Sequence, residues 1–122
     1  MTSPDPNSVP NSDCLFCRIV AGEIPATLVA ETDNTVAFRD INPQAALHVL
    51  VVPRAHHENA AASAAADAAG FAALFAAAAE IARGAGYDDY RLVFNTGAGV
   101  GQTVFHTHLH VLAGRAMGWP PG

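Results

Sequence analysis

Histidine alternates with apolar or β-branched residues along residues 104–112, and this period of two predicts a β-strand. Side chains at positions i, i+2 and i+4 of a strand point to the same face. We therefore expect His106, His108 and His110 to line one surface of a sheet. Imidazole acts as nucleophile, acid, base and metal ligand near neutral pH, so this surface is where chemistry is expected.

The remaining elements predict an α+β fold, with a five-stranded antiparallel sheet, one long helix over one sheet face and a short N-terminal helix. Proline at position 43 and the polar residues around it predict a loop at 41–44. The other predicted segments are the short helix 14–21, strands 27–31, 35–40, 48–52 and 91–95, the long helix 64–85 and a glycine-rich loop at 96–101.

Length and charge limit the classes of function. The chain has 122 residues, which suits one domain, and a net charge of −5 with no lysine. This charge disfavours a nucleic-acid surface, and no apolar run is long enough to predict a membrane span. Residues 1–13 are rich in Pro, Asn and Ser and lack the features of a signal peptide, so we expect a disordered tail and a cytoplasmic protein.

The glycine-rich loop leads directly into the histidine row. Glycines permit close approach of the backbone to a phosphate, and consecutive N–H groups can form an anion-binding nest. A hairpin connection also uses glycine, so the loop alone is weak evidence for phosphate binding. The nearby side chains of Asn95, Gln102 and Thr103 could add neutral donors.

Cys14 and Cys17 have the Cys-x-x-Cys spacing of a zinc knuckle, but they supply only two ligands. A thioredoxin-like redox motif would require a strand before the two cysteines, and the sequence predicts none there. Two distant histidines could complete a tetrahedral site. The spacing leaves open whether these are His56 or His57, together with one end of the histidine row.

Four segments of the chain carry a specific pattern: 14–25 (CLFCRIVAGEIP), 40–45 (DINPQA), 48–54 (HVLVVPR) and 102–112 (QTVFHTHLHVL). Together they resemble the histidine-triad (HIT) nucleotide-binding family. The Gly114-Arg115 pair and the closing Trp-Pro-Pro-Gly look like its Hint branch, and the resemblance spans a HIT-like domain at residues 14–122.

The resemblance implies an enzyme that hydrolyses purine nucleoside phosphoramidates or acyl-nucleotides at the α-phosphorus. His108 would be the nucleophile and form a nucleotidyl-histidine, from which water releases the nucleoside monophosphate. His110 would donate to the phosphate oxygens, and His48 would support the triad and proton transfer to the leaving group.

The same resemblance implies a purine nucleotide as the bound partner. It places Asn95, Gln102, Thr103 and His110 on the phosphate side. Asp40 would bind the ribose hydroxyls, and Ile41 would lie at the base pocket.

Cys14, Cys17, His56 and His106 match the zinc ligands of many bacterial members, so the resemblance implies a structural zinc and no organic cofactor. His57, next to His56, keeps the ligand choice ambiguous. Most members are homodimers whose sheets join across a two-fold axis, so we expect the sheet to extend across a dimer through the long helix and the Trp119 tail.

Two alternatives stay open at this stage. One is a dinucleoside polyphosphate hydrolase, which the Trp-Pro-Pro-Gly tail disfavours. The other is a non-catalytic nucleotide-binding or scaffold protein, which the intact triad disfavours. Gly118 stands where the Hint branch usually has a histidine, so the tail departs from that branch at a position near the leaving group.

Overall fold

The computed structural model describes residues 13–122 and has an α+β fold built on a five-stranded antiparallel sheet, which confirms the predicted class. The predicted tail 1–13 lies outside the described residues, except for Asp13. The strands are β1 Leu28–Glu31, β2 Thr35–Arg39, β3 Leu47–Pro53, β4 Arg91–Val93 and β5 Leu109–Ala113. They lie in the order β1-β2-β3-β5-β4, so β3 and β5 are direct neighbours near the centre.

Three helices accompany the sheet: α1 Leu15–Val20, α2 Ala60–Ala66 and α3 Ala68–Gly84. The single helix predicted for 64–85 is therefore wrong in one respect, because the chain breaks at Asp67. This residue leaves the helical region at φ −151° and ψ 82°, and its carboxylate accepts the Gly70 N–H at 2.9 Å. Aspartate is a favoured N-cap residue, so the break starts a new helix. No helix within residues 13–122 has the length and apolar character needed to cross a membrane.

Helix α3 covers one face of the sheet with small side chains. Leu74, Ala78 and Ala82 recur every four residues and are fully buried. Alanine permits a close approach of the helix to the sheet. Phe75, next to Leu74 on the same helix, is 40% exposed. The sheet residues in this core are Ala37, Leu47, Val49, Val51, Leu109, Val111 and Ala113.

The opposite face of the sheet carries His48 and His110. Because strand side chains alternate, the burial of Val49 and Val51 under α3 leaves His48 and Leu50 on the other side. Leu50 pairs with His110 on β5, which brings His110 diagonally next to His48. Helix α1 packs on this face through Phe16.

The last strand begins at Leu109 and not at residue 104, so His106 and His108 precede it. The chain before Leu109 bonds to the segment after β3 instead of to a strand. The Thr107 N–H donates to the His57 carbonyl at 2.8 Å, and the Thr107 hydroxyl donates to the Asn59 carbonyl at 2.8 Å. The three histidines therefore do not share one strand face. The other predicted strands agree with the structure within two residues at each end.

Candidate active site and metal centre

A cavity of about 800 Å³ opens on the sheet face opposite α3. This volume is within the usual range for small-molecule sites. Apolar side chains of α1 and β2 form one side, among them Phe16 and Phe38. Six of the residues predicted from the sequence line the cavity together: Asp40, Ile41, Asn95, Thr103, His108 and His110.

His108 presents an unprotonated nitrogen. Its Nδ1 lies 2.8 Å from the carbonyl oxygen of His106, and a carbonyl can only accept, so Nδ1 carries the proton. The lone pair of a neutral His108 is therefore on Nε2. The ring of Phe16 packs edge-on against this imidazole, with the ring centroids 5.0 Å apart. The imidazole is thus held in one tautomer by a main-chain group and braced by an aromatic ring.

His48 and His110 form a second pair with defined protons. The main-chain N–H of Gln44 donates to His48 Nδ1 at 3.0 Å, so a neutral His48 carries its proton on Nε2. His48 Nε2 lies 2.9 Å from His110 Nδ1 and donates to it. A neutral His110 must then carry its own proton on Nε2, where it is a hydrogen-bond donor.

The carboxylate of Asp40 is oriented by its own loop. Its Oδ1 accepts the Asn42 N–H at 2.8 Å, which is an Asx turn. Its Oδ2 lies 3.4 Å from His48 Nε2, whereas His110 Nδ1 lies 2.9 Å from the same nitrogen. One carboxylate oxygen is therefore committed to the backbone, and the other lies at the histidine pair.

The imidazoles of His48, His108 and His110 all favour the neutral form. Burial lowers the pKa of His108, against the opposing effects of the His106 carbonyl and Asp40. Burial also lowers the pKa of His48, although Asp40 acts in the opposite direction. Burial, together with the nearby rings of His108 and His48, lowers the pKa of His110 from 6.5 to about 4. At pH 7 the site therefore offers one imidazole lone pair and one neutral N–H donor.

Gln102 corrects one prediction, because its side chain does not line the cavity. The residue is buried, and its Oε1 accepts the Gly97 N–H at 2.8 Å. Its Nε2 donates to the carbonyls of Glu58 at 2.8 Å and Val104 at 3.2 Å. Both amide hydrogens are committed to the backbone, so Gln102 braces the glycine-rich loop and leaves no side-chain donor for a phosphate.

Part of the glycine-rich loop is also committed to itself. A 3₁₀ turn spans Ala98–Val100, and the N–H groups of Gly101 and Gln102 donate to carbonyls within the loop. Gly97 and Gly101 have φ values of 102° and 101°, which favour glycine. The glycines therefore serve a tight turn, and the anion nest that the sequence suggested does not include these N–H groups.

Four potential metal ligands converge beside the cavity. Cys17 Sγ lies 3.2 Å from His56 Nδ1 and 3.4 Å from His106 Nδ1, and Cys14 Sγ lies 3.5 Å from His106 Nδ1. All four ligand atoms lie within 4.8 Å of one another. Tetrahedral zinc with ordinary Zn–S and Zn–N bonds separates sulfur from nitrogen by about 3.5 Å. The spacing and the donor set of two sulfurs and two imidazole nitrogens both fit zinc.

The tautomer of His106 also suits a metal ligand, because its unprotonated nitrogen faces the two sulfurs. His106 Nε2 lies 2.9 Å from the Pro53 carbonyl and must donate to it, so Nδ1 presents a lone pair to the two sulfurs. His56 joins the cluster, and His57 does not. The Nδ1 of His57 is buried and has no hydrogen-bond partner within residues 13–122. The geometry therefore favours His56 over His57 as the ligand.

Asp40, His48 and His110 also lie close enough together to suggest a metal site. Binding a metal at His48 Nε2 would move the proton of a neutral imidazole to Nδ1. That nitrogen faces the Gln44 N–H, so two donors would oppose each other. The tautomers therefore separate the two clusters: the cysteine cluster suits a metal, and the Asp40 cluster suits a hydrogen-bonded proton chain.

Several contributors to the site carry no side-chain signal in the sequence. The carbonyls of His106 and Pro53 and the N–H of Gln44 set three histidine tautomers, and any residue type provides such groups. Phe16 did have a signal, because it lies between the two cysteines that the spacing singled out. Its contact with His108 depends on the tertiary fold.

The structure and the sequence are both similar to known proteins. A crystal structure of a HIT family hydrolase from Legionella pneumophila matches with a TM-score of 0.85 and 48% identity, covering 89% of this chain and 99% of that chain. A HIT-like protein of Synechocystis sp. is 48% identical over 111 residues, which cover 90% of this chain and 97% of that protein.

Two further matches concern the metal cluster and the domain. A 14 kDa zinc-binding protein of Zea mays is 39% identical over 115 residues, covering 92% of this chain and 90% of that protein. The family model of the HIT domain matches residues 21–117, which contain the three histidines of the row and the cavity residues of the loops. The chain therefore belongs to the HIT domain family, as its motifs predict.

Proposed function

We propose that this chain hydrolyses purine nucleoside phosphoramidates or acyl-nucleotides through a nucleotidyl-histidine intermediate. The observation that carries the proposal is the tautomer of His108, whose Nδ1–H is tied to the His106 carbonyl and whose Nε2 lone pair belongs to a cavity-lining ring. His110 supplies a neutral N–H donor beside it. A nucleophile and a donor for phosphate oxygens are thus adjacent.

In the proposed first step His108 Nε2 attacks the α-phosphorus. An N–P bond forms and the P–N or P–O bond to the leaving group breaks. An amine leaving group takes a proton from water, whereas a carboxylate departs as the anion. The His110 Nε2–H stabilises the charge on the phosphate oxygens, and the hydrogen bond from His48 holds His110 in the donor tautomer. In the second step water attacks phosphorus and loses a proton to solvent, the N–P bond breaks with its electron pair returning to His108 Nε2, and the nucleoside monophosphate is released.

The same cavity supports nucleotide binding. The Asp40 carboxylate suits ribose hydroxyls, and the fully exposed Ile41 extends the apolar side of the cavity toward a base. Asn95 and Thr103 supply neutral donors on the phosphate side.

Cys14, Cys17, His56 and His106 would hold a structural zinc. With four protein ligands the metal has no open position for substrate, so it contributes stability by joining α1 to the segments after β3 and before β5. We also propose a homodimer through the edge strand β4, α3 and the tail. Arg91 of β4 donates to the Gly118 carbonyl, and Trp119 is 84% exposed next to it. A cytoplasmic location stays a prediction.

The decisive experiment is a turnover screen with adenosine and guanosine phosphoramidates, acyl-adenylates and dinucleoside polyphosphates. We expect release of AMP or GMP from the phosphoramidates with a kcat/KM at least about tenfold above that for dinucleoside polyphosphates. The reverse ranking would favour the polyphosphate hydrolase. Nucleotide binding without any turnover would favour the non-catalytic alternative.

The pH dependence of the reaction follows from the lowered pKa values. His108 must be neutral to attack, and His110 must be neutral at Nδ1 to accept from His48. Since the pKa of His110 is about 4 and that of His108 is below 6.5, we expect kcat/KM to persist below pH 6.5 and to fall as the pH approaches 4. A rate profile from pH 4 to 8 measures this.

The acid limb must be separated from unfolding. Histidines of the unfolded chain titrate near 6.5, so their protonation favours unfolding between pH 6.5 and the lower pKa of the folded state. Circular dichroism at each pH identifies that loss. An acid limb with its midpoint at or above pH 6.5 in folded protein would contradict the expected shift.

A further inference from the structure

The loop between β2 and β3 carries much of the proposed site, yet little apolar burial holds it. Asp40 and Ile41 come from this loop, and Ile41, Asn42, Pro43 and Gln44 are exposed. Hydrogen bonds fix the loop instead: the Gln44 side chain donates to the Asn42 carbonyl, and the Gln44 N–H donates to His48. Any further bond to this loop therefore bears on the geometry of the histidine pair.

We propose that Arg115 is a positioning residue for the His48–His110 pair, a role that rests on the function proposed above. The guanidinium holds the loop where the Gln44 N–H can reach His48 Nδ1. In this way it maintains the tautomer in which His110 presents an Nε2–H to the phosphate.

The contact is short and anchored at two points. Arg115 Nε–H donates to the Gln44 carbonyl at 2.7 Å, and Nη1 donates to the Ala116 carbonyl at 3.1 Å. Hydrogen bonds from a charged donor are shorter and stronger than neutral ones. The guanidinium is planar, so two bonds define its orientation.

The backbone of Gly114 brings Arg115 to this position. Gly114 follows β5 with φ +96°, a conformation that L side chains rarely adopt. A Cβ at this position would lie 2.6 Å from the Cβ of Ala46 and 2.9 Å from the hydroxyl of Tyr87. The chain therefore turns tightly against the loop, and the next side chain lies over Gln44.

The contacts form one hydrogen-bonded path from the surface to the cavity. Arg115 binds the carbonyl of Gln44, the N–H of the same residue binds His48, and His48 binds His110. If the loop shifts, His48 can place its proton on Nδ1. His110 then loses the donor that keeps its own proton on Nε2.

The test compares Arg115→Met, Arg115→Lys and the control Arg54→Met. Arg54 is a matched control because its Nε–H also donates to a loop carbonyl, that of Thr32, at 3.0 Å and at the other end of β3. Two readouts are needed: imidazole nitrogen chemical shifts by NMR, which report the tautomers, and kcat and KM with an adenosine phosphoramidate.

For Arg115→Met we expect mixed tautomers at His48 and His110 and a kcat lower by about fivefold to tenfold. Arg115→Lys keeps a charged donor and should restore most of both properties, and Arg54→Met should match the wild type. Unchanged nitrogen shifts in Arg115→Met would overturn the proposal, even if KM rises, because the arginine would then act only on the loop.

The two proposals can fail separately. Absence of turnover in the wild-type protein would contradict the proposed function, whereas the nitrogen shifts would still decide the role of Arg115. If Arg115→Met does not fold, Arg115→Gln takes its place, because glutamine is shorter and uncharged. Mixed tautomers at His48 and His110 in that variant would support the role, and nitrogen shifts equal to those of the wild type would contradict it.

Discussion

Replacing His108 with alanine will abolish phosphoramidate hydrolysis while leaving nucleotide binding largely intact. The substitution removes the imidazole whose Nδ1–H donates to the His106 carbonyl and whose Nε2 carries the free lone pair in the cavity. Loss of a covalent nucleophile costs at least about a thousandfold in kcat. Nucleotide affinity should stay within about tenfold, or about 1.4 kcal/mol, because Asp40, Asn95 and Thr103 remain.

Three measurements check this result: single-turnover kinetics, calorimetric titration with a nucleoside monophosphate, and mass spectrometry of acid-sensitive adducts. The wild type should gain the mass of a nucleotidyl group on His108, and the variant should not. His57→Ala is a useful control because it removes another buried imidazole that does not line the cavity. Turnover of the His108→Ala protein near the wild-type rate would refute the nucleophile assignment.

Replacing a metal ligand will lower the temperature of thermal unfolding of the protein. Elemental analysis of the purified protein should give close to one zinc per chain, and Cys14→Ser should remove it. The ligands are far apart in sequence, since Cys17 is 39 residues from His56 and 89 residues from His106. Cross-linking such distant segments stabilises a small domain by about 3–5 kcal/mol. We expect thermal unfolding about 10–20 °C lower in Cys14→Ser.

The adjacent histidines provide a matched pair for this experiment. His56→Asn should lose the metal, because His56 Nδ1 lies 3.2 Å from Cys17 Sγ. His57→Asn should keep it, because His57 lies outside the ligand cluster. Zinc retained in His56→Asn and lost in His57→Asn would reverse the ligand assignment. A metal-free wild type with unchanged stability would contradict a structural zinc altogether.

Local patterns predicted most of the fold. The short β-branched run at 48–52, which Pro53 ends, predicted a strand, and β3 has buried residues from Leu47 to Pro53. The break at Asp67 had a local signal as well, since aspartate three residues before Gly70 can cap a helix. The start of β5 had none. Its position depends on the bonds of Thr107 to His57 and Asn59, about 50 residues away in the sequence.

In the candidate site, too, some features had a signal in the sequence and others depend on the tertiary fold. Residue types and spacing singled out the histidine row and the two cysteines, whereas Asp40 and His48 were implied by the resemblance to the HIT family. The structure gathers two clusters: Cys14, Cys17, His56 and His106 form one, and Asp40, His48 and His110 form the other. Sequence could not reveal which nitrogen of each imidazole carries the proton, because main-chain groups decide it. For Gln102 the sequence suggested a role that the structure does not support. A polar residue next to a glycine-rich loop suggested a ligand contact, but burial commits its amide to the backbone.

His106 contributes its ring to the metal cluster and its carbonyl to the His108 tautomer, so the metal cluster and the nucleophile can change independently in evolution. The ring lies among the metal ligands, whereas the carbonyl that holds the His108 proton belongs to the main chain and would remain with another side chain at this position. A lineage could therefore exchange both cysteines, His56 and His106 for a packed apolar cluster without altering the tautomer of the nucleophile. The same independence would let a protein engineer build a metal-free variant whose chemistry is unchanged.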